Sequence, residues 1–188
     1  MKINANSIRA GNVLEHNGRL WMVSKTPSWA MPGKGGAFVQ VEMKDLKTGT
    51  KLNERFRSNE EVEKVRLDQK DYQFLYFEDE MIVLMDKIDF EQISVPKALL
   101  GERSLLLKDG VEVVVESYEE SPINVMLPDT MIVKVVETEP VVKGQTVSSS
   151  YKPAKLENGM RIMVPPFIDA DTDIVIKTED ISYVERAK

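Results

Sequence analysis

The chain has 188 residues, 42% of them hydrophobic and 30% charged, with a net charge of −6 and no cysteine. This composition suits folded cores and excludes a disordered tail; the absence of cysteine excludes disulfides, thiolate metal sites and cysteine nucleophiles. No apolar run approaches the roughly 18 residues of a membrane span, and the opening residues lack the apolar core of a secretory signal, so the expected location is the cytoplasm, away from any membrane.

The net charge hides an asymmetry. Residues 1–64 hold 11 Lys/Arg against 7 Asp/Glu, a balance of plus four. Residues 65–127 hold 6 against 14, or minus eight, and residues 128–188 hold 8 against 10, or minus two. A basic first segment beside an acidic middle suits a protein that brings one end to phosphate backbones. Unevenly spread solubilising charge is the rival explanation.

Along the chain, alternating and β-branched runs bounded by close turn signals predict small sheets or barrels. Asn17-Gly18 separates two strand-like runs, and both residues accept positive φ, a strong hairpin signal. His16, the only histidine, stands beside that turn with no nucleophile or acid near it in sequence and reads as a solvated surface group. Next comes Trp29-Ala30-Met31-Pro32-Gly33-Lys34-Gly35-Gly36. A phosphate-binding loop would need glycine where Ser28 stands and Ser or Thr where Gly35 stands, so that reading fails. Proline then glycine at 32 and 33 instead suits a type II turn, which leaves Lys34 at a tip without bulky neighbours. If residues 26–34 run as an extended arm, the tip reaches up to about 25 Å from the sheet. A slim arm ending in a compact ammonium can enter a narrow, anionic cavity, although most hairpin-tip lysines only keep an edge soluble.

Residues 37–46 and 51–58 form a second expected hairpin around 47–50. Strand-like runs at 72–77 and 81–86 flank Glu78, Asp79 and Glu80, which lack the ligand spacing of a calcium loop and read as a solvated tip. Further strands are expected at 111–118, 131–139, 160–165 and 172–178. Residues 96–107 are the one helix candidate of note; Gly101 weakens it, so one or two short turns fit equally. Polar residues 58–64 and the stretch 126–130 look like seams, dividing the chain into 1–64, 65–127 and 128–188. Pieces near 60 residues make marginal cores, and closed barrels are an economical solution because closure removes exposed edges. The ten methionines read mostly as core filler.

Several motifs in order carry a family resemblance over essentially the full length. Ile8-Arg9-Ala10-Gly11, Pro32-Gly33-Lys34-Gly35 with Ala37-Phe38, Thr48-Gly49-Thr50-Lys51 with Phe56-Arg57-Ser58, and Lys152-Pro153-Ala154 with Gly159 and Val164-Pro165 resemble bacterial translation elongation factor P. The resemblance implies an all-β protein of three small barrels, an SH3-like (KOW-like) domain over 1–64 and two OB-type domains over 65–127 and 128–188, in an L-shaped arrangement. It implies a non-enzymatic, monomeric factor with no cofactor and no metal. Such a factor binds the ribosome between the peptidyl-tRNA and exit sites and promotes peptide-bond formation at consecutive prolines.

On this resemblance, Lys34, with Pro32, Gly33, Gly35 and Gly36, is the loop that reaches peptidyl-tRNA and the site where a lysine-modifying enzyme adds a covalent extension. Gly144, Gln145 and Thr146 correspond to a loop associated with the exit-site codon of the mRNA, and Tyr183 and Arg186 to tRNA contacts. For Tyr183, closing the last barrel core is the rival role. Ala30-Met31 replaces the Val-Lys that often precedes the proline, Gln145 replaces the common aspartate, and Asp171 stands where the C-terminal signature has glycine. Two rivals remain: a paralogue serving another stalling context, and a carboxylate-dependent hydrolase or transferase. A pocket with two close carboxylates would support the second.

Overall fold

The computed structural model describes residues 1–30, 33–140 and 151–188, with only the backbone of Lys34. Three antiparallel sheets account for nearly all regular structure, as the alternation predicts. Packing groups the chain into two compact units, Met1–Lys70 with Val115–Asn124, and Asp71–Val114 with Val125–Lys188.

The first sheet comprises β1 (Lys2–Asn4), β2 (Val13–His16), β3 (Arg19–Val23), β4 (Ser28–Ala30), β5 (Phe38–Asp45), β6 (Lys51–Arg57) and β7 (Glu61–Val65). Their order is β1-β7-β2-β3-β5-β4, with β6 along the other side of β5. Asn17 and Gly18 take φ of 52° and 73° in the β2–β3 turn, the pair of left-handed residues a two-residue hairpin requires. The polar stretch 58–64, expected as a seam, is regular structure for most of its length. It enters β7, which pairs with both β1 and β2; backbone hydrogen bonding on two sides supplies what its side-chain pattern lacks.

The β5–β6 turn is built on one carboxylate. Asp45 is 4% exposed and accepts the amides of Lys47 at 2.7 Å and Thr48 at 3.0 Å, with Arg19 Nη1 at 3.4 Å. Burial opposes its ionisation, but the Thr48 and Lys47 amides and then the Arg19 cation outweigh it, holding the carboxyl below its ordinary 3.8. The unfolded chain therefore binds this proton more tightly. The stability Asp45 contributes is full above pH 3.8 and is lost as pH falls through the lower folded value. Asp45→Asn is expected to cost about 1–2 kcal/mol at neutral pH, by loss of charge-assisted bonds. Urea melts at pH 7 and pH 3 should show that gap narrowing in acid.

The second sheet, in the order β10-β9-β8-β11-β12, comprises β8 (Asp68–Glu78), β9 (Met81–Asp86), β10 (Gln92–Pro96), β11 (Glu112–Tyr118) and β12 (Ser121–Met126). Residues 78–80 are exposed, as expected of a solvated tip. The helix candidate resolves into two short 3-10 turns, Lys97–Leu99 and Gly101–Leu106. Gly101, at φ 60°, breaks the path between them.

The third sheet, in the order β15-β14-β13-β16-β17, comprises β13 (Thr130–Thr138), β14 (Lys152–Leu156), β15 (Arg161–Val164), β16 (Asp173–Lys177) and β17 (Ser182–Arg186). Its outer strands β15 and β17 pack together, curling the sheet around fully buried Leu156, Val164, Ile168, Ile174 and Ile176. Asp171 has φ 63°, which accounts for the glycine of the signature at that position: the backbone turns left-handed as its amide bonds Val135 O at 2.7 Å. Asp171→Gly is expected to raise stability by about 0.5–1 kcal/mol, the left-handed strain exceeding the entropy glycine adds to the unfolded chain. A thermal melt should rise by a degree or more.

Candidate functional site

The Lys34 loop sits at the end of a three-stranded ribbon. β4 pairs with β5 as Ser28↔Gln40, Trp29↔Val39 and Ala30↔Phe38. β5 pairs with β6 as Phe38↔Arg57, Val39↔Phe56 and Gln40↔Arg55. Opposed residues share a face, so Trp29, Val39 and Phe56 form one inward row. Val39 and Phe56 are buried at 1% and 3% exposure, while Trp29, on the edge strand, stays 55% exposed.

Because Ser28–Ala30 is paired strand, the arm is shorter than an extended run from residue 26 would give. From Ala30 the chain reaches Lys34 over at most about 13 Å. Gly33–Gly35 forms a 3-10 turn with Lys34 at its centre. Gly33 has φ 59°, the left-handed value a type II turn asks of its third residue; Met31 and Pro32 lie outside the described residues. Gly36 has φ 90°, and a Cβ built at Gly33, Gly35 or Gly36 would meet nothing within 4 Å. The backbone around Lys34 is therefore uncovered, and another surface can approach it closely.

The outward face of the same ribbon adds cations that sequence reading did not single out for a role. Arg55 and Arg57 alternate around buried Phe56 and are exposed, and the Arg55 guanidinium lies 5.5 Å from the Phe38 ring centre. The strict alternation Arg-Phe-Arg is the signal that marks them. Together with the loop they form a basic, aromatic end of the first sheet, suited to a phosphate backbone and unstacked bases.

Tyr183 and Arg186 come together on the last strand, in the second unit. Three residues apart, they would face opposite ways on a regular strand. The β16–β17 ladder slips at Val184: Ile176 pairs with Tyr183, Val175 with Glu185 and Ile174 with Arg186. This one-residue bulge returns both side chains to the face shared by buried Ile174 and Ile176. Arg186 is exposed and Tyr183 half-buried, so the tyrosine combines an accessible edge with a role at the rim of the core. Gly144, Gln145 and Thr146 lie outside the described residues.

The remaining candidates carry no reaction centre. His16 is packed instead of freely solvated: its ring meets Phe56 edge-on at 5.5 Å, with Nε2 3.5 Å from Glu54. Among the described residues no three His, Cys, Asp or Glu side chains converge in a geometry that would hold a metal. The open groove beside Phe74, Tyr76 and Phe77 offers one carboxylate, Asp109. No described helix is long and apolar enough to cross a membrane.

Comparison with known proteins matches all three sheets to one family. Residues 4–62 match the Elongation factor P (EF-P) KOW-like domain, 67–125 the Elongation factor P (EF-P) OB domain, and 131–186 Elongation factor P, C-terminal. The chain belongs to the elongation factor P family. It is 57% identical over 188 residues to Elongation factor P of Rickettsia bellii (strain OSU 85-389), and 55% identical over 188 residues to that of Rickettsia rickettsii (strain Sheila Smith); each alignment covers 100% of both chains. Among solved structures, Eukaryotic translation initiation factor 5A from Methanococcus jannaschii superposes with a TM-score of 0.56 at 22% identity, over 68% of this chain and 92% of that one. That likeness speaks to the fold.

As an elongation factor P family member the chain is a translation elongation factor and not an enzyme, which overturns the carboxylate-dependent hydrolase or transferase. Of the C-terminal motif residues, Ala154 and Val164 are buried, so they serve packing here.

Proposed function

We propose that this member of the elongation factor P family binds the ribosome between the peptidyl-tRNA and exit sites and promotes peptide-bond formation at consecutive prolines. Lys34 positions the peptidyl-tRNA end. Proline is a rigid, poorly reactive substrate, and holding its tRNA in a near-attack geometry removes part of the entropic barrier without any group on the factor taking part in bond making. One observation carries the reading: the Gly33–Gly35 turn holds Lys34 on uncovered backbone at the end of the ribbon whose strand β6 carries exposed Arg55 and Arg57, in a chain that aligns with a family member over 100% of both.

The three segments 1–64, 65–127 and 128–188 act as successive modules of a monomer in the cytoplasm. Arg55, Arg57, Tyr183 and Arg186 contact tRNA, and Gly144, Gln145 and Thr146 meet the exit-site codon of the mRNA. A modifying enzyme extends the Lys34 amine and lengthens a reach that β4 has shortened.

Reconstituted translation of two reporters, one with a run of prolines and one without, tests the reading. The factor is expected to accelerate only the first. Equal acceleration of both, or of neither, overturns it.

A further inference from the structure

Two aromatic rings on the third sheet stand in solvent where packing does not require them. Phe167 is 58% exposed and Tyr151 50%, and large exposed rings generally mark a surface that meets a partner. Phe167 is carried on a short turn fixed at both ends. Val164 and Ile168 are fully buried, and the Ile168 amide bonds Pro165 O at 3.1 Å. The ring it presents lies 5.3 Å from the guanidinium carbon of Arg186. Tyr151 meets Tyr183 edge-on, with centroids 6.5 Å apart and an interplanar angle of 88°. Each of the two residues that the bulge brings to one face is thus backed by its own ring.

The Arg186 contact has a chemical consequence. Among the described residues no carboxylate pairs with Arg186, so its charge is not neutralised within the third sheet. A ring face attracts the cation but leaves its N–H groups unbonded. A guanidinium held in this way loses less freedom when it bonds a phosphate or a base edge.

We propose that Phe167 is a positioning residue: its ring fixes the Arg186 guanidinium for contact with tRNA, as Tyr151 fixes Tyr183. The proposal rests on the reading of Arg186 as a tRNA contact. The assay is affinity for ribosomes carrying peptidyl-tRNA ending in proline, across a salt series, with Phe167→Leu, Phe167→Tyr, Arg186→Gln and the Phe167→Leu/Arg186→Gln pair. Phe167→Leu keeps the apolar bulk and removes the ring face. It is expected to weaken binding about three- to tenfold, Phe167→Tyr to restore it to within about twofold, and the double variant to bind no more weakly than Arg186→Gln alone. A purely structural role for Phe167 would make the two losses multiply. Multiplying losses, or wild-type binding by Phe167→Leu while Arg186→Gln is weakened, overturns the proposal and leaves the tRNA contact standing. Wild-type binding by Arg186→Gln overturns both.

Discussion

Replacing Lys34 by alanine is expected to reduce the acceleration of consecutive-proline synthesis by about 10- to 100-fold, the range a lost positioning contact produces, with no change in the melt beyond about 0.5 kcal/mol. The separation of the two effects follows from the turn. Gly33, Gly35 and Gly36 look onto open space, so the turn itself is not built into a core, and a substitution at its centre is expected to act on the proposed tRNA contact and not on the fold. Lys34→Arg should fall between wild type and alanine. It keeps the charge but replaces a compact ammonium by a planar fork and removes the primary amine that a modifying enzyme would extend. Full activity of Lys34→Ala on the proline reporter would overturn the mechanism. The intact mass of the chain from its native cell reports on the extension: added mass at Lys34, together with weaker activity of the unextended chain, is the expected result.

How much of this was legible in the sequence depends on which level of structure carries the information. The β2–β3 hairpin was legible because the Asn17-Gly18 requirement for positive φ is local. Strand β7 was not, because only Val62 of Glu61–Val65 is buried; the strand is defined by hydrogen bonds to β1 and β2, which no side-chain pattern announces. The extended arm failed for a related reason. Ser28–Ala30 is short and mixed in character, yet it covers the edge of β5.

The sites divide in the same way. At the Lys34 turn one angle bears on the expectation: Gly33 has the left-handed φ foreseen for it, because glycine alone takes that value freely, while Met31 and Pro32 lie outside the described residues. That Tyr183 and Arg186 share a face was not legible. Their spacing implies opposite faces until the Val184 bulge is known, and a bulge is a property of the partner strand as much as of its own. Phe167 belongs to no motif in the sequence, and its place beside Arg186 is set by tertiary contact alone. Asp171, uninterpretable as a substitution for glycine in sequence, became simple once its φ was known.

Phe56→Ala is expected to abolish function by a different route, which distinguishes the loop from its support. Phe56 is 3% exposed, pairs with Val39 across β5–β6 and receives the edge of His16 at 5.5 Å. It belongs to the cluster of Leu14, Trp21, Val41 and Met43 that forms the first core. Removing a buried phenyl ring costs about 3–5 kcal/mol, which rivals the whole stability of a sheet near 60 residues. Phe56 and Val39 hold β6 and β5 in this core, and β4 is attached to β5 by its backbone ladder, so the base of the Lys34 turn should melt with the inward row. Amide exchange should then show protection lost in β2, β3, β5 and β6 while the third sheet keeps its own. Phe56→Leu, which keeps most of the volume, should cost about 1.5 kcal/mol or less and retain activity. Lys34→Ala should give the opposite signature, with every sheet protected and proline synthesis slow. If Phe56→Ala left β5 protected, the inward row would not be the support of the loop, and the link drawn from core packing to the position of Lys34 would fail.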